Sequence, residues 1–234
     1  MKNQLRLLVL AAVAASFHNA VAADITGKIT LKGTPPPEKQ IPLDPTCGKL
    51  HPSGKMTTRF YTAGKDGGLA DVFVSITAGL SKKDFPAPSQ PAVIDQKGCE
   101  YLPYVVGAQT KQKIVVKNSD PVLHNVHPTP TVAGNKEFNK AQLPNGPVLE
   151  FSWDNPEVFL RFKCDVHPWM FSYVGLVDHP YFGVSDQDGN FKIANVPPGT
   201  YTVEANHRKG GKVTQQVTVG ADSKKVDFTI NVPQ

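Results

Sequence analysis

Beyond its first residues the chain has no long apolar run. It has no stretch of sustained helical periodicity, and only 3 cysteines among 234 residues. Each scarcity excludes something. Leu7 to Phe17 is apolar, but this is too short to span a bilayer. Lys2 and Arg6 precede it, and Ala20-Val21-Ala22 offers a small-residue cleavage site, with a cut one residue later also open. Residues 1–23 therefore read as a secretory signal peptide. The expected mature protein is soluble, without a membrane span, and exported to the periplasm or beyond. The net charge is only +5 and the lysines are scattered. No basic stripe interleaves with aromatics, so no nucleic-acid partner is expected. A C-x-x-C-H haem site and a defensible Ser/His/Asp arrangement are both lacking, so the chain is not expected to be an enzyme.

Cys47, Cys99 and Cys164 make an odd count. In an exported chain that leaves one cysteine unpaired or bound to metal. If Cys164 is the odd one, Cys47 and Cys99 can form a disulfide, which an oxidising compartment permits. Three pairings are open, and spacing does not choose among them.

With 19 glycines and 21 prolines spread throughout, short β-branched and aromatic runs recur between turn signals. This pattern predicts an all-β protein of sandwich type. Strands are expected at Ile25–Leu31, Leu69–Thr77, Val105–Val106, Lys113–Lys117, Val148–Trp153, Val158–Cys164, Tyr173–Val177, Phe191–Ile193, Tyr201–Glu204, Lys212–Val219 and Lys225–Asn231. Lys39–Lys55 and Pro128–Pro147 are expected to be loops.

Chemistry concentrates in Phe162–Met170, F-K-C-D-V-H-P-W-M. Cys164, His167 and Met170 place a thiolate, an imidazole and a thioether within seven residues. Soft sulfur ligands with imidazole suit copper, and a His2Cys set with a weak Met is an electron-transfer copper geometry. Strand alternation puts Val158, Leu160, Phe162 and Cys164 on one face, turned into the core. The missing imidazole is His124 or His127. In an extended V-L-H-N-V-H segment the two point opposite ways, and His124, directly after the N-S-D-P turn, is the better placed. Zinc is the rival. His124, His127, Cys164 and His167 would make a tetrahedral CysHis3 set, but the segment would have to turn and Met170 would be left unused. His51 and His207 are expected to be ordinary surface histidines, and His179 is given no role.

Tyr101–His127, with its Y-L-P strand, polar turn and K-N-S-D-P-V-L-H run, resembles the first half of a cupredoxin. F-K-C-D-V-H-P-W-M resembles that family's C-terminal ligand loop, with spacing of the amicyanin type. The likeness covers residues 94–178. It implies a Greek-key sandwich holding one type 1 copper at His124, Cys164, His167 and Met170, with Asn125 steadying the ligand loop by hydrogen bonding. The long 128–147 loop departs from the family pattern.

Phe182–Asn231 resembles a carboxypeptidase regulatory-like β-sandwich of transthyretin type, on its D-Q-D-G-N-F turn and P-P-G-T-Y-T-V strand entry. D-x-D-G also begins a calcium loop, but the later Glu is absent. This second sandwich lacks opening strands, which I-T-G-K-I-T-L and A-D-V-F-V-S-I-T resemble. The expected arrangement is a discontinuous sandwich, residues 24–93 with 179–234, around the inserted 94–178 domain. A cupredoxin with long terminal extensions is the alternative.

The function expected is one-electron transfer between redox protein partners. The edge of His167 would be exposed, and Pro168 and Trp169 would form an apolar docking rim. Copper delivery or storage is one alternative, and a structural or adhesive module stapled by a metal is another.

Overall fold

The computed structural model describes residues 21–81 and 83–233, so the expected signal peptide lies almost wholly outside the described residues. β1 (Ala23–Lys32) is followed by a small excursion of β2 (Gln40–Ile41), helix α1 (Pro45–Leu50) and β3 (Met56–Thr57), and then β4 (Phe73–Ala78). A central block follows: β5 (Ala92–Gln96), β6 (Tyr101–Leu102), β7 (Val105–Gln109), β8 (Ile114–Asn118), β9 (His124–Thr129), β10 (Lys140–Gln142), β11 (Leu149–Phe151), β12 (Glu157–Lys163) and β13 (Phe171–Val177). The chain ends in β14 (Phe182–Val184), β15 (Asn190–Val196), β16 (Gly199–His207), β17 (Gly211–Val219), β18 (Lys224–Lys225) and β19 (Phe228–Asn231). The fold class is all-β, as expected.

The central block forms two sheets, ordered β10-β9-β12-β13-β7 and β11-β8-β5-β6. Ile94, Tyr101, Ile114, Val116, Phe151, Trp153, Leu160 and Phe162 are buried between them. The outer segments form two more sheets. β1 pairs with β15, β18 and β19, while β4 lies between β14 and β16. Burial alternates along β1, with Ala23, Ile25 and Ile29 inward, the period expected of a strand with one buried face. Ala23 pairs with Val196, so a cut after Ala22 would keep the whole strand.

The two sandwiches meet across a third apolar cluster of Phe73, Val105, Tyr173 and Val177, with Phe182 packed on it. Gly107 and Gly175 face each other on β7 and β13. A Cβ on Gly175 would meet the Phe73 ring at 2.4 Å, and one on Gly107 the Phe182 ring at 2.5 Å. This glycine pair makes the trough in which the neighbouring sandwich seats its rings.

Three local expectations change. Lys39–Lys55 is not all loop. Asp44 caps α1, accepting from Thr46 and Cys47 amides at 2.8 and 3.0 Å, and Pro45 takes the first turn, the residue pair suited to a helix start. This excursion, grouped by sequence with the outer sandwich, packs Cys47, Leu43 and Leu50 against the central core. The 128–147 loop contains β10, which pairs with β9. Alternation in β12 fails at Phe159, whose φ is +66°. The register slips between Val158 and Leu160, a bulge that leaves Val158 exposed while Leu160, Phe162 and Cys164 stay buried.

A candidate metal centre

The N-S-D-P turn builds one wall of the site. Asn118 Oδ1 accepts from the Asp120 amide at 3.0 Å, and Asn118 Nδ2 donates to the Val122 carbonyl at 2.8 Å. That closure sets Asp120 four residues before His124, with its Oδ2 2.9 Å from His124 Nε2. Asp120 also accepts from the amides of Gly98 and Cys99, at 2.6 and 2.8 Å. A carboxylate on Nε2 fixes the imidazole so that Nδ1 presents its lone pair inward.

β12 delivers Cys164 on the core face, and the loop after it turns back at once. The Met170 amide donates to the His167 carbonyl at 3.0 Å, and the Cys164 amide donates to the Met170 carbonyl at 3.2 Å. His124 Nδ1 and His167 Nδ1 stand 3.0 Å apart, and Cys164 Sγ lies 3.7 Å from His167 Nδ1. Donor atoms of His124, Cys164 and His167 all lie within 4.8 Å of one another. His124 and Met170 are fully buried, and Cys164 and His167 nearly so. Of the expected residues the structure brings His124, Cys164 and His167 together, and Met170 is buried in the same core cluster. His127 stays outside. Its ring nitrogens meet Asp165 and Glu137, each at 2.6 Å, so the CysHis3 set expected of zinc does not assemble.

The electrostatics favour an ionised sulfur. Burial alone raises the Cys164 thiol, but hydrogen bonds from His124 and from the Asn125, His167 and Val166 amides outweigh it and lower the pKa. The Asn125 amide lies 3.3 Å from the sulfur. Burial also opposes protonation of His124, yet its bonds to Asp120 and Cys164 raise it on balance. Burial and the neighbouring His124 lower His167.

Asn125 links β9 to the loop after Cys164. Its Oδ1 accepts from the Asp165 amide at 3.0 Å, and its Nδ2 donates to Asn139. Asn139 in turn donates to Asp165 at 2.9 Å. The 128–147 segment thus gains a place, since Glu137 and Asn139 brace the ligand loop from outside.

The expected exposed edge of His167 is covered. Only 8% of the residue is accessible, and Asp44 Oδ2, at the start of α1, lies 3.7 Å from its Nε2. α1 is held there by a Cys47–Cys99 disulfide, Cα atoms 5.6 Å apart. The Trp169 indole donates to the Cys99 carbonyl at 3.2 Å and its ring centre is 5.3 Å from that of His167. Pro168 is exposed and Trp169 half-buried. Of the remaining histidines, His207 departs from expectation. His179 and His207 are buried, and His51 lies 3.3 Å from Glu100. Sequence reasoning missed Asp120 and Asp44. The first was legible in the N-S-D-P turn four residues before His124, and the second only through the disulfide.

No protein-family model matches the chain, and no curated protein sequence matches it. Solved structures with partial likeness include an amicyanin from Paracoccus versutus, at 17% identity and TM-score 0.33, over 44% of this chain and 96% of that one. A purple cupredoxin from Nitrosopumilus maritimus aligns at 22% identity and TM-score 0.30, over 36% of this chain and 98% of that one. A copper-containing nitrite reductase from Thermus scotoductus aligns at 16% identity and TM-score 0.34, over 42% of this chain; the chain spans only 25% of that protein's length. At these scores the likenesses carry no argument about activity, and the case for the site rests on its own residues.

Proposed function

We propose that this chain binds one copper ion through His124, Cys164, His167 and Met170 and passes single electrons to and from redox protein partners. The observation that carries the reading is the buried convergence of three donor atoms within 4.8 Å, one of them a thiol whose pKa is lowered. The donor set fits copper by its chemistry, since sulfur and imidazole together suit that ion. Copper held there would supply a one-electron change between its cuprous and cupric states. The chain's own residues do the rest. With Asp120 holding its Nε2–H, His124 would offer Nδ1 to the ion. The Asn125 amide stabilises negative charge on Cys164. The Cys164–Met170 turn, closed by its two backbone bonds, holds the donors in place so that little reorganisation accompanies a change of charge. Burial excludes water. Residues 1–23, as an export signal, would carry the protein out of the cytoplasm, and no helix among the described residues is long and apolar enough to cross a membrane.

The visible spectrum of the copper(II) form tests this. An intense thiolate-to-copper band is expected, and Cys164→Ala should abolish it. Absence of the band in loaded protein would overturn the reading. Rapid surrender of copper(I) to a chelator would favour delivery or storage, and loss of folding on metal removal without any redox signal would favour a structural staple.

A further inference from the structure

A cleft beside the candidate metal centre is lined by none of its donors. Its volume is ≈ 570 Å³, within the range of small-molecule sites. It is walled by the β2–β3 excursion, by β12, β13 and the Pro168–Trp169 turn of the central block, and by the Arg208–Lys209 hairpin of the outer sandwich. Its floor is apolar and aromatic. Arg59, Arg161, Arg208 and Lys209 line it, and none of its lining residues is acidic.

These cations are laid flat on rings. The Arg208 guanidinium is 4.5 Å from the Tyr173 ring centre and Arg161 is 5.9 Å from Phe171. Tyr173 and Phe171 are two residues apart on β13, hence on one face of the strand, and both guanidiniums line the cleft. Arg59 lies over Tyr104 at 4.5 Å and is partly neutralised by Glu100, at 3.2 Å. Among the described residues neither Arg161 nor Arg208 has a carboxylate partner. Arg208 Nε is buried and has no hydrogen-bond partner at all, which is costly for a charged donor.

We propose that this cleft binds a small aromatic carboxylate. Its carboxylate group would be held by the Arg208 and Arg161 forks, and its ring would lie among Tyr104, Phe171 and Trp169. Guanidinium groups pair with carboxylates through two parallel hydrogen bonds and also stack on planar rings, so one ligand class satisfies both the cations and the apolar floor. None of His124, Cys164, His167 and Met170 lines the cleft, and Trp169, 5.3 Å from the His167 ring, is the one wall that it shares with the metal centre.

The experiment titrates the full chain calorimetrically with 4-methoxybenzoate and with its neutral isostere, 4-methoxybenzyl alcohol. Binding of the acid in the millimolar range or tighter is expected, with the alcohol at least about tenfold weaker. Arg208→Gln and Arg161→Gln should each weaken the acid about tenfold and leave the alcohol unchanged, while Arg208→Lys, which keeps charge but loses the fork, falls between. Arg161 is exposed, so Arg161→Gln remains informative if Arg208→Gln fails to fold. Failure of the acid to bind, equal binding of acid and alcohol, or indifference to Arg161→Gln would overturn the proposal. Inorganic phosphate binding as tightly as the acid would overturn the aromatic part, and capture of an acidic peptide without the acid would reassign the cleft to a protein partner.

Discussion

Asp120 carries more of the site than its absence from the donor set suggests. One carboxylate accepts from His124 Nε2 and from the Gly98 and Cys99 amides, so it ties the imidazole to the disulfide loop. Asp120→Asn keeps the size but loses the charge that fixes the tautomer. Copper affinity should fall about 10- to 100-fold, measured by competition with a chromogenic chelator; unchanged affinity would remove Asp120 from the account. His207 makes a separate, pH-dependent statement. It is buried against Tyr61, its Nδ1 accepts from the Gly210 amide at 2.9 Å, and burial with Arg208 beside it lowers its pKa to about 4. The unfolded chain, with imidazole near 6.5, then binds more protons between those two pH values. Stability is full above about pH 6.5 and falls as pH drops toward 4, by about 3 kcal/mol from this group. Denaturant curves at pH 7, 5.5 and 4.5 should show that slope, and His207→Gln should flatten it.

At the scale of elements, the deciding piece is the α1 excursion. It contributes no donor, yet it closes the site from outside through Asp44 and the Cys47–Cys99 bridge. Replacing both cysteines by alanine should lower stability by about 2–5 kcal/mol, read from the denaturant midpoint at constant m. The same variant should expose His167 and speed metal exchange; a covered and slow site in the variant would show that packing of Leu43 and Leu50 suffices. Strand periodicity announced β1, β12 and β16, whose burial alternates along much of their length, while β13 is buried on both faces. It did not announce β6, β10 or β14, which are two or three residues long and owe their pairing to neighbours. The Phe159 bulge was equally hidden, since its shift of register depends on β13 across the sheet.

For the whole molecule, the contact between sandwiches is the feature most open to test. Phe73 and Phe182 sit in the Gly107–Gly175 trough, and the cationic cleft opens along the same junction. Gly175→Ala would drive a methyl into the Phe73 ring and should cost about 1–3 kcal/mol, the usual penalty of overpacking. Gly220→Ala, where nothing lies within 4 Å of the added carbon, serves as the control and should change stability by less than about 0.5 kcal/mol. Thermal unfolding of the two variants side by side checks this, and equal midpoints would mean the sandwiches are not tightly seated. The strands of the outer sandwich come from both ends of the chain. Their pairing, β1 with β15 and β4 with β16, was foreshadowed only by likeness of sequence pattern, because periodicity says which face is buried and nothing about the partner.

Sequence by itself determined the all-β class and singled out the candidate donors of the Cys164–Met170 loop and His124 ahead of His127, since these follow from side-chain chemistry and from a period of two along a strand. Tertiary structure decided what surrounds them. The Asp44 cover over His167, the burial of His179 and His207 and the four cations of the cleft depend on residues far apart in the chain. No local pattern encodes such distances, because they are set by how two sandwiches close on each other.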